Sequence, residues 1–252
     1  MAGIIPVPAR VGFDWRADGD LANYRAARRQ RAHRSAARAK SAYLDRFHFH
    51  EDWDGSAVSL SKWTLLQPIN TTIKIIASDG GVLEFVCDNG GGGAVGAHIA
   101  CNNLRQVKLA RNPVSENYCS LVQTTECRPR MGFRNASVFD ADSGIFFEYD
   151  SSASANWFGV TRSGANRTAV DLGVAADTAW RVFRFEVINS VPVVNFYISA
   201  AGVLSPIYRG ASTTNIDASS LYQPTVEFFS LDGNSKTFDI DYSDFWTDRR
   251  TS

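Results

Sequence analysis

From Phe47 onward, apolar residues tend to recur at every second position. Phe183, Phe185 and Val187 alternate with Arg184 and Glu186. Phe238, Ile240 and Tyr242 alternate with Asp239 and Asp241. A period of two gives strands with one dry face and one wet face. The pattern predicts strands at Ile73–Ala77, Val82–Cys87, Tyr118–Arg128, Gly144–Asp150, Trp157–Thr161, Arg181–Ile188, Val193–Ile198, Thr225–Phe229 and Thr237–Phe245. Each is rich in β-branched or aromatic residues and bounded by turn-forming ones. No long helical pattern lies between them. Many short strands of this kind stack as a mainly β sandwich, expected over residues 45–252.

The first 44 residues follow another rule. Pro6 and Pro8 make residues 1–16 an extended arm, because proline fixes φ and removes a donor. Leu21 to Leu44 holds no Gly or Pro and is dominated by Ala and Arg, which predicts a helix. Its Ala32, Ala36, Ala39 and Tyr43 stripe buries little area, so the helix needs a partner to fix it. Arg25, Arg28, Arg29, Arg31, Arg34 and Arg38 are its candidate partner-binding residues. Residues 1–40 carry nine basic and three acidic side chains, a net charge of +6; the remainder carries −6, and the whole chain is neutral. A basic anchor of this kind is suited to an acidic surface, whether nucleic acid, another protein or the body of a neighbouring copy.

Composition narrows the classes. With 252 residues, 44% hydrophobic and 12% aromatic, the chain can bury a core. No segment approaches the ~18 apolar residues of a membrane span, so no membrane partner is expected. Met1–Val11 lacks the basic start of a signal peptide. Cys87, Cys101, Cys119 and Cys127 show no C-x-x-C spacing and read as small buried side chains in a reducing compartment, with one or two disulfides as the alternative that spacing does not decide. His48 and His50 share a strand face near Glu51 and Asp52, but without a second cluster a solvated strand end is the better reading than a metal site. The Asp88–Gly93 run lacks the GK[ST] of a phosphate loop, and Asp140–Gly144 lacks the distal Glu of a calcium loop. No cofactor is expected.

Larger blocks carry a resemblance. Asp45-Arg-Phe47 is followed by Asp52-Trp53-Asp54 and Trp63; Trp157-Phe-Gly159-Val160 leads to Trp180-Arg-Val-Phe-Arg-Phe; Val194-Asn-Phe-Tyr-Ile198 and Phe238-Asp-Ile-Asp-Tyr242 follow. Over roughly residues 45–248 this resembles the concanavalin A-like jelly roll of legume lectins, laminin-G-like modules and laminarinase-type glycosidases. The enzymatic branch carries an E-x-D-x-x-E run that sets carboxylates on one strand face. Glu148-Tyr-Asp150 comes nearest and lacks the third acid. A chain that is not an enzyme, with no catalytic residues, is therefore expected.

The layout of short anchor (1–44) and jelly-roll body (45–252) resembles virion proteins of tailed bacteriophages. That resemblance implies a structural capsid decoration, cement, spike or tail component, docked through its arm onto other virion proteins. It also implies assembly in the host cytoplasm and a homo-oligomer, a trimer by analogy with spikes and fibres. The alternative is a lectin-like module for host-surface glycans, with Asn156, Trp157, Asn195 and Tyr197 as candidate carbohydrate-binding residues; Phe158 and Val160 beside Trp157 favour a core position for that ring. A nucleic-acid partner is disfavoured, because Tyr24 and Tyr43 are the only aromatics near the basic helix and the body is acidic.

Overall fold

The computed structural model describes residues 46–248, apart from 52, 54–56, 69, 77–80, 89–94, 102–106 and 137–142. For Arg46, Phe47, His48, His50 and Asp248 it describes the backbone alone. The expected arm, basic helix, its six arginines and the boundary at residue 44 lie outside the described residues, as does the expected His48–His50 side-chain pair.

Among the described residues the chain forms β1 (Arg46–Glu51), β2 (Trp63–Leu66), β3 (Thr71–Ile76), β4 (Val82–Cys87), β5 (Val95–Cys101), β6 (Val107–Lys108), β7 (Val114–Leu121), β8 (Cys127–Arg134) and β9 (Gly144–Glu148). It continues through β10 (Asn156–Ser163), β11 (Asn166–Ala175), β12 (Arg181–Ile188), β13 (Val193–Ser199), β14 (Pro206–Ser212), β15 (Leu221–Ser230) and β16 (Lys236–Asp248). The first sheet runs β14-β13-β12-β7-β16-β4-β3, with β1 also on β16. The second runs β11-β10-β9-β8-β15-β5-β2, with β6 on β15. All recorded pairings are antiparallel. This is the expected mainly β, two-sheet sandwich of jelly-roll type.

The dry faces meet as the alternation predicts. Phe183, Phe185, Phe196, Phe238 and Ile240 of the first sheet are buried, as are Phe133, Phe147 and Phe228 of the second. Rings interlock between sheets: Phe133 stands edge-on to Phe185 at 5.0 Å, and Phe147 to Phe183 at 5.3 Å. Such pairs add about 0.5–1.5 kcal/mol each beyond their area. All four cysteines are buried and no disulfide joins them. Burial pushes the Cys87 and Cys127 thiols up to about 12. No helix among the described residues is long and apolar enough to cross a membrane.

Two sequence expectations need correction. The run Tyr118–Arg128 is not one strand: β7 ends at Leu121, the chain turns with Glu126 at φ 50°, and β8 begins at Cys127. The run holds no Gly or Pro to mark that turn. The alternation in Phe238–Tyr242 also breaks. The register with β7 shifts between Ile240 and Tyr242, so Asp241 is an extra residue. A bulge of this kind turns the next side chain over. Tyr242 therefore stacks on Tyr118 at 5.8 Å and donates its hydroxyl to Glu116 at 2.8 Å, away from the core.

Candidate functional site

Each sheet has an outward face, and antiparallel register assembles its side chains in rows. On the first sheet, Asp244 of β16 pairs with Glu116 of β7, Glu116 with Arg184 of β12, Arg184 with Tyr197 of β13, and Tyr197 with Tyr208 of β14. The neighbouring row runs Trp246, Val114, Glu186, Asn195 and Ala211. Directly opposed side chains lie within ~5 Å, so the two rows form one patch.

The patch has an aromatic rim and a polar centre. Tyr197 and Tyr208 stand edge to face at 5.8 Å, and Tyr208 is 55% exposed. Arg184 lies over the Trp246 ring at 5.3 Å and donates to Glu186. Tyr197 donates its hydroxyl to Glu186 at 3.3 Å. Partial burial, followed by the Glu186 charge, raises the Tyr197 phenol above its usual range, so it stays a neutral donor. The Asn195 side chain makes no hydrogen bond among the described residues and is half-buried. The patch thus offers apolar ring faces, an amide with donors and acceptor, and a fixed guanidinium–carboxylate pair.

The second sheet's outward face is built from charge. His98 of β5, Glu227 of β15, Arg130 of β8 and Glu148 of β9 form one row. Arg130 donates through Nε to Glu148 at 2.6 Å and reaches Glu227 through Nη1 at 3.5 Å. Arg134 donates to Glu227 at 2.9 Å, His98 Nδ1 lies 3.4 Å from its other oxygen, and Arg167 of β11 donates to Glu148. Both carboxylates are buried, as are His98 and Arg134. Burial works against the Glu227 charge, but His98 and the two arginines outweigh it and hold the carboxyl below its usual range. On β9 the outward positions are Gly144, Phe146 and Glu148, so that strand face holds one carboxylate. Among the described residues, no group of three or more His, Cys, Asp or Glu could hold a metal ion.

The four expected carbohydrate-binding residues separate. Asn195 and Tyr197 share the first sheet's patch. Trp157 is core: its ring lies 4.5 Å from Phe183 and is 2% exposed. Asn156 sits on the other sheet, its amide donated to both oxygens of Asp171 at 3.1 Å. Reasoning from sequence placed Arg184 and Glu186 on a wet face without joining them to Tyr197, and it missed Tyr208, whose strand it did not predict. The alternation Arg184-Phe-Glu186 was the available signal, and strand pairing supplies the rest.

No protein-family model and no curated protein sequence matches the chain. Solved structures do match in fold. A glycosyl hydrolase family protein from Mycobacterium fortuitum aligns at 13% identity and TM-score 0.58, over 79% of this chain and 98% of its own. The CBM2 module of the evolved Dit of Lactobacillus casei BL23 phage J-1 aligns at 9% identity and TM-score 0.59, over 82% and 98%. The Bacillus licheniformis β-glucanase aligns at 9% identity and TM-score 0.55, over 79% and 97%. The sandwich is therefore a jelly roll shared with glycoside hydrolases, a carbohydrate recognition domain and a phage Dit module. The expectation that the chain is not an enzyme is overturned here. Several of these likenesses are to hydrolases, so this is a fold on which catalytic architecture is built.

Proposed function

We propose that this chain recognises a glycan on the outward face of its first sheet. The observation that carries this reading is the Tyr197–Tyr208 ring pair beside Asn195, Arg184 and Glu186. Sugars present apolar C–H faces ringed by hydroxyls. Tyrosine rings take the first, and amide, guanidinium and carboxylate groups take the second. The Arg184–Glu186 pair is already formed and leans on Trp246, so little ordering is needed on binding. The carbohydrate-directed relatives of the fold support the same reading.

The phage carbohydrate-binding module supports a finer context: a glycan-recognition domain of a virion, held by its N-terminal basic segment. In this proposal Arg25, Arg28, Arg29, Arg31, Arg34 and Arg38 meet carboxylates of a neighbouring virion protein. Arginine suits that task because its planar fork binds carboxylates bidentately. Each exposed pair contributes only about 0.2–1 kcal/mol, so attachment relies on many pairs or many copies.

A glycan array with the full chain, followed by titration of the best polysaccharide, tests the site. Asn195→Ala and Tyr197→Ala are each expected to weaken binding tenfold or more with the fold intact. Unchanged binding by both variants would remove this face from the proposal. The same incubations, read for released reducing ends, report whether the charged face of the other sheet cleaves what is bound.

A further inference from the structure

The charged face of the second sheet ends in a cross-strand pair of arginines. Arg134 pairs across the sheet with Gly144, Gly144 with Arg162 of β10, and Arg162 with Arg167 of β11. Arg162 and Arg167 are thus like charges directly opposite each other, an arrangement that destabilises a sheet. Arg134 and Arg167 turn along their strands to Glu227 and Glu148. Arg162 does not: its one bond among the described residues runs from Nε to the carbonyl of Gly164 at 3.0 Å. Of this cross-strand pair, Arg167 has the Glu148 carboxylate and Arg162 has none among the described residues. Among the described residues, Asp171 and Asp217 are engaged elsewhere. Asp171 holds Asn156 and the Gly173 amide, and Asp217 is ringed by Ser143, Ser219 and Ser220.

The local backbone keeps the two arginines in place. Gly164 and Ala165 form the two-residue turn between Ser163 and Asn166, with Gly164 at φ 59°, the left-handed value such a tight hairpin requires at its first central position. Gly144, between Arg134 and Arg162, makes room for the Arg134 side chain. A Cβ there would lie 3.1 Å from the Arg134 side chain. Arg162 is half-buried and Arg167 exposed, so the pair opens to solvent at the sheet margin, unlike the buried Arg134.

We infer that Arg162 and Arg167 form a binding site for an oxyanion: the carboxylate of a uronic acid, or a phosphate or sulfate ester. Each guanidinium has N–H donors left after its internal bond, and two forks side by side accept one oxyanion bidentately. The ligand also supplies the charge whose absence leaves the cross-strand pair repelling. This site lies on the opposite sheet from the Tyr197–Tyr208 patch and stands or falls independently of it.

The test uses the full chain and thermal unfolding with inorganic phosphate, against sodium chloride at equal ionic strength. Wild type is expected to show a saturable rise in unfolding temperature with phosphate, and Arg162→Gln to need at least tenfold more phosphate for the same rise. Without ligand, Arg162→Gln is expected to unfold at the same temperature as wild type or higher, because a repulsion has gone. Arg162→Lys keeps the charge without the fork and is expected to fall between them. Glycerol phosphate and an oligogalacturonide, titrated in parallel, tell an ester from a uronate, and a saturable response to either supports the site. Asn195→Ala with Tyr197→Ala leaves the phosphate response unchanged, which separates this site from the glycan patch. No saturable response to any of the three anions, the same response in Arg162→Gln, or an Arg162→Gln protein that fails to fold overturns the inference.

Discussion

On the second sheet, Glu227 lies between His98 and Arg130 in its row and also takes Arg134, and its carboxyl lies below the usual range. On the first sheet, Asp239 faces another acid, Glu84, across the strand pair; Lys74 is bonded to Glu84, and the Asp239 carboxyl is pushed up to about 6. Both acids sit at outward positions of strands next to the sheet centre. What separates them is the identity of the cross-strand neighbour, which register decides. Around Glu227 one face spends its charges on holding itself together. The other keeps acids in partial conflict and leaves rings and an amide available to a ligand.

The largest expected effect comes from breaking the satisfied row. Glu227→Ala removes the carboxylate that Arg134 and Arg130 share and leaves buried guanidinium charge behind. A loss of about 3–5 kcal/mol in denaturant unfolding is expected. In wild type the Glu227 contribution is present above its unfolded pKa of roughly 4.3 and is lost as pH falls through the lower folded value. Acid unfolding that is identical in wild type and Glu227→Gln would show that the row does not stabilise the fold.

The next effect divides the two expected aromatic binding residues. Trp157→Ala opens the core between Tyr149 and Phe183 and is expected to cost about 3–5 kcal/mol of stability. Tyr197→Ala is expected to lose at least tenfold in glycan affinity while its unfolding midpoint moves little. If instead Trp157→Ala folds normally and loses binding, the comparison of the two faces is wrong.

The sandwich was legible because alternation survives in single strands. Val82–Cys87 and Arg181–Ile188 are found at the predicted bounds. β5 was missed because two of its three outward positions, Gly96 and Ala100, are small. A Cβ on Gly96 would lie 2.4 Å from the Phe229 ring, so that neighbour demands glycine where a strand pattern wants a side chain. β11 and β14 were missed because they are edge strands, with polar or exposed residues at many positions. The candidate site was half legible. Asn195 and Tyr197 share a strand, and their period of two places them on one face. Tyr208, Arg184 and Trp246 join them from three other strands through a register that no local pattern carries. Glu148 stood out as an acid near the expected catalytic pattern, but its partners Arg130 and Arg167 lie 18 residues before it and 19 after it.

The smallest predicted effect tests the unsatisfied side of the comparison. Burial first, then the Glu84 charge, raises Asp239 to about 6, and Lys74 only partly offsets them. The folded protein therefore holds this proton more tightly than the unfolded chain, whose aspartate titrates near 3.9. Stability from this group is fully present below about pH 4 and is lost as pH rises through about 6. The sign is opposite to that of Glu227. At pH 7 the ionised Asp239 is a net cost, reduced by its partial exposure to solvent. Asp239→Asn keeps the shape and removes the charge, and it is expected to raise stability at pH 7 by about 1 kcal/mol. The same variant is expected to flatten the stability profile between pH 4 and 6 and leave the acid limb set by Glu227 where it was. A variant less stable than wild type at pH 7 would mean that Asp239 is held by attraction, and the two faces would then treat their acids alike.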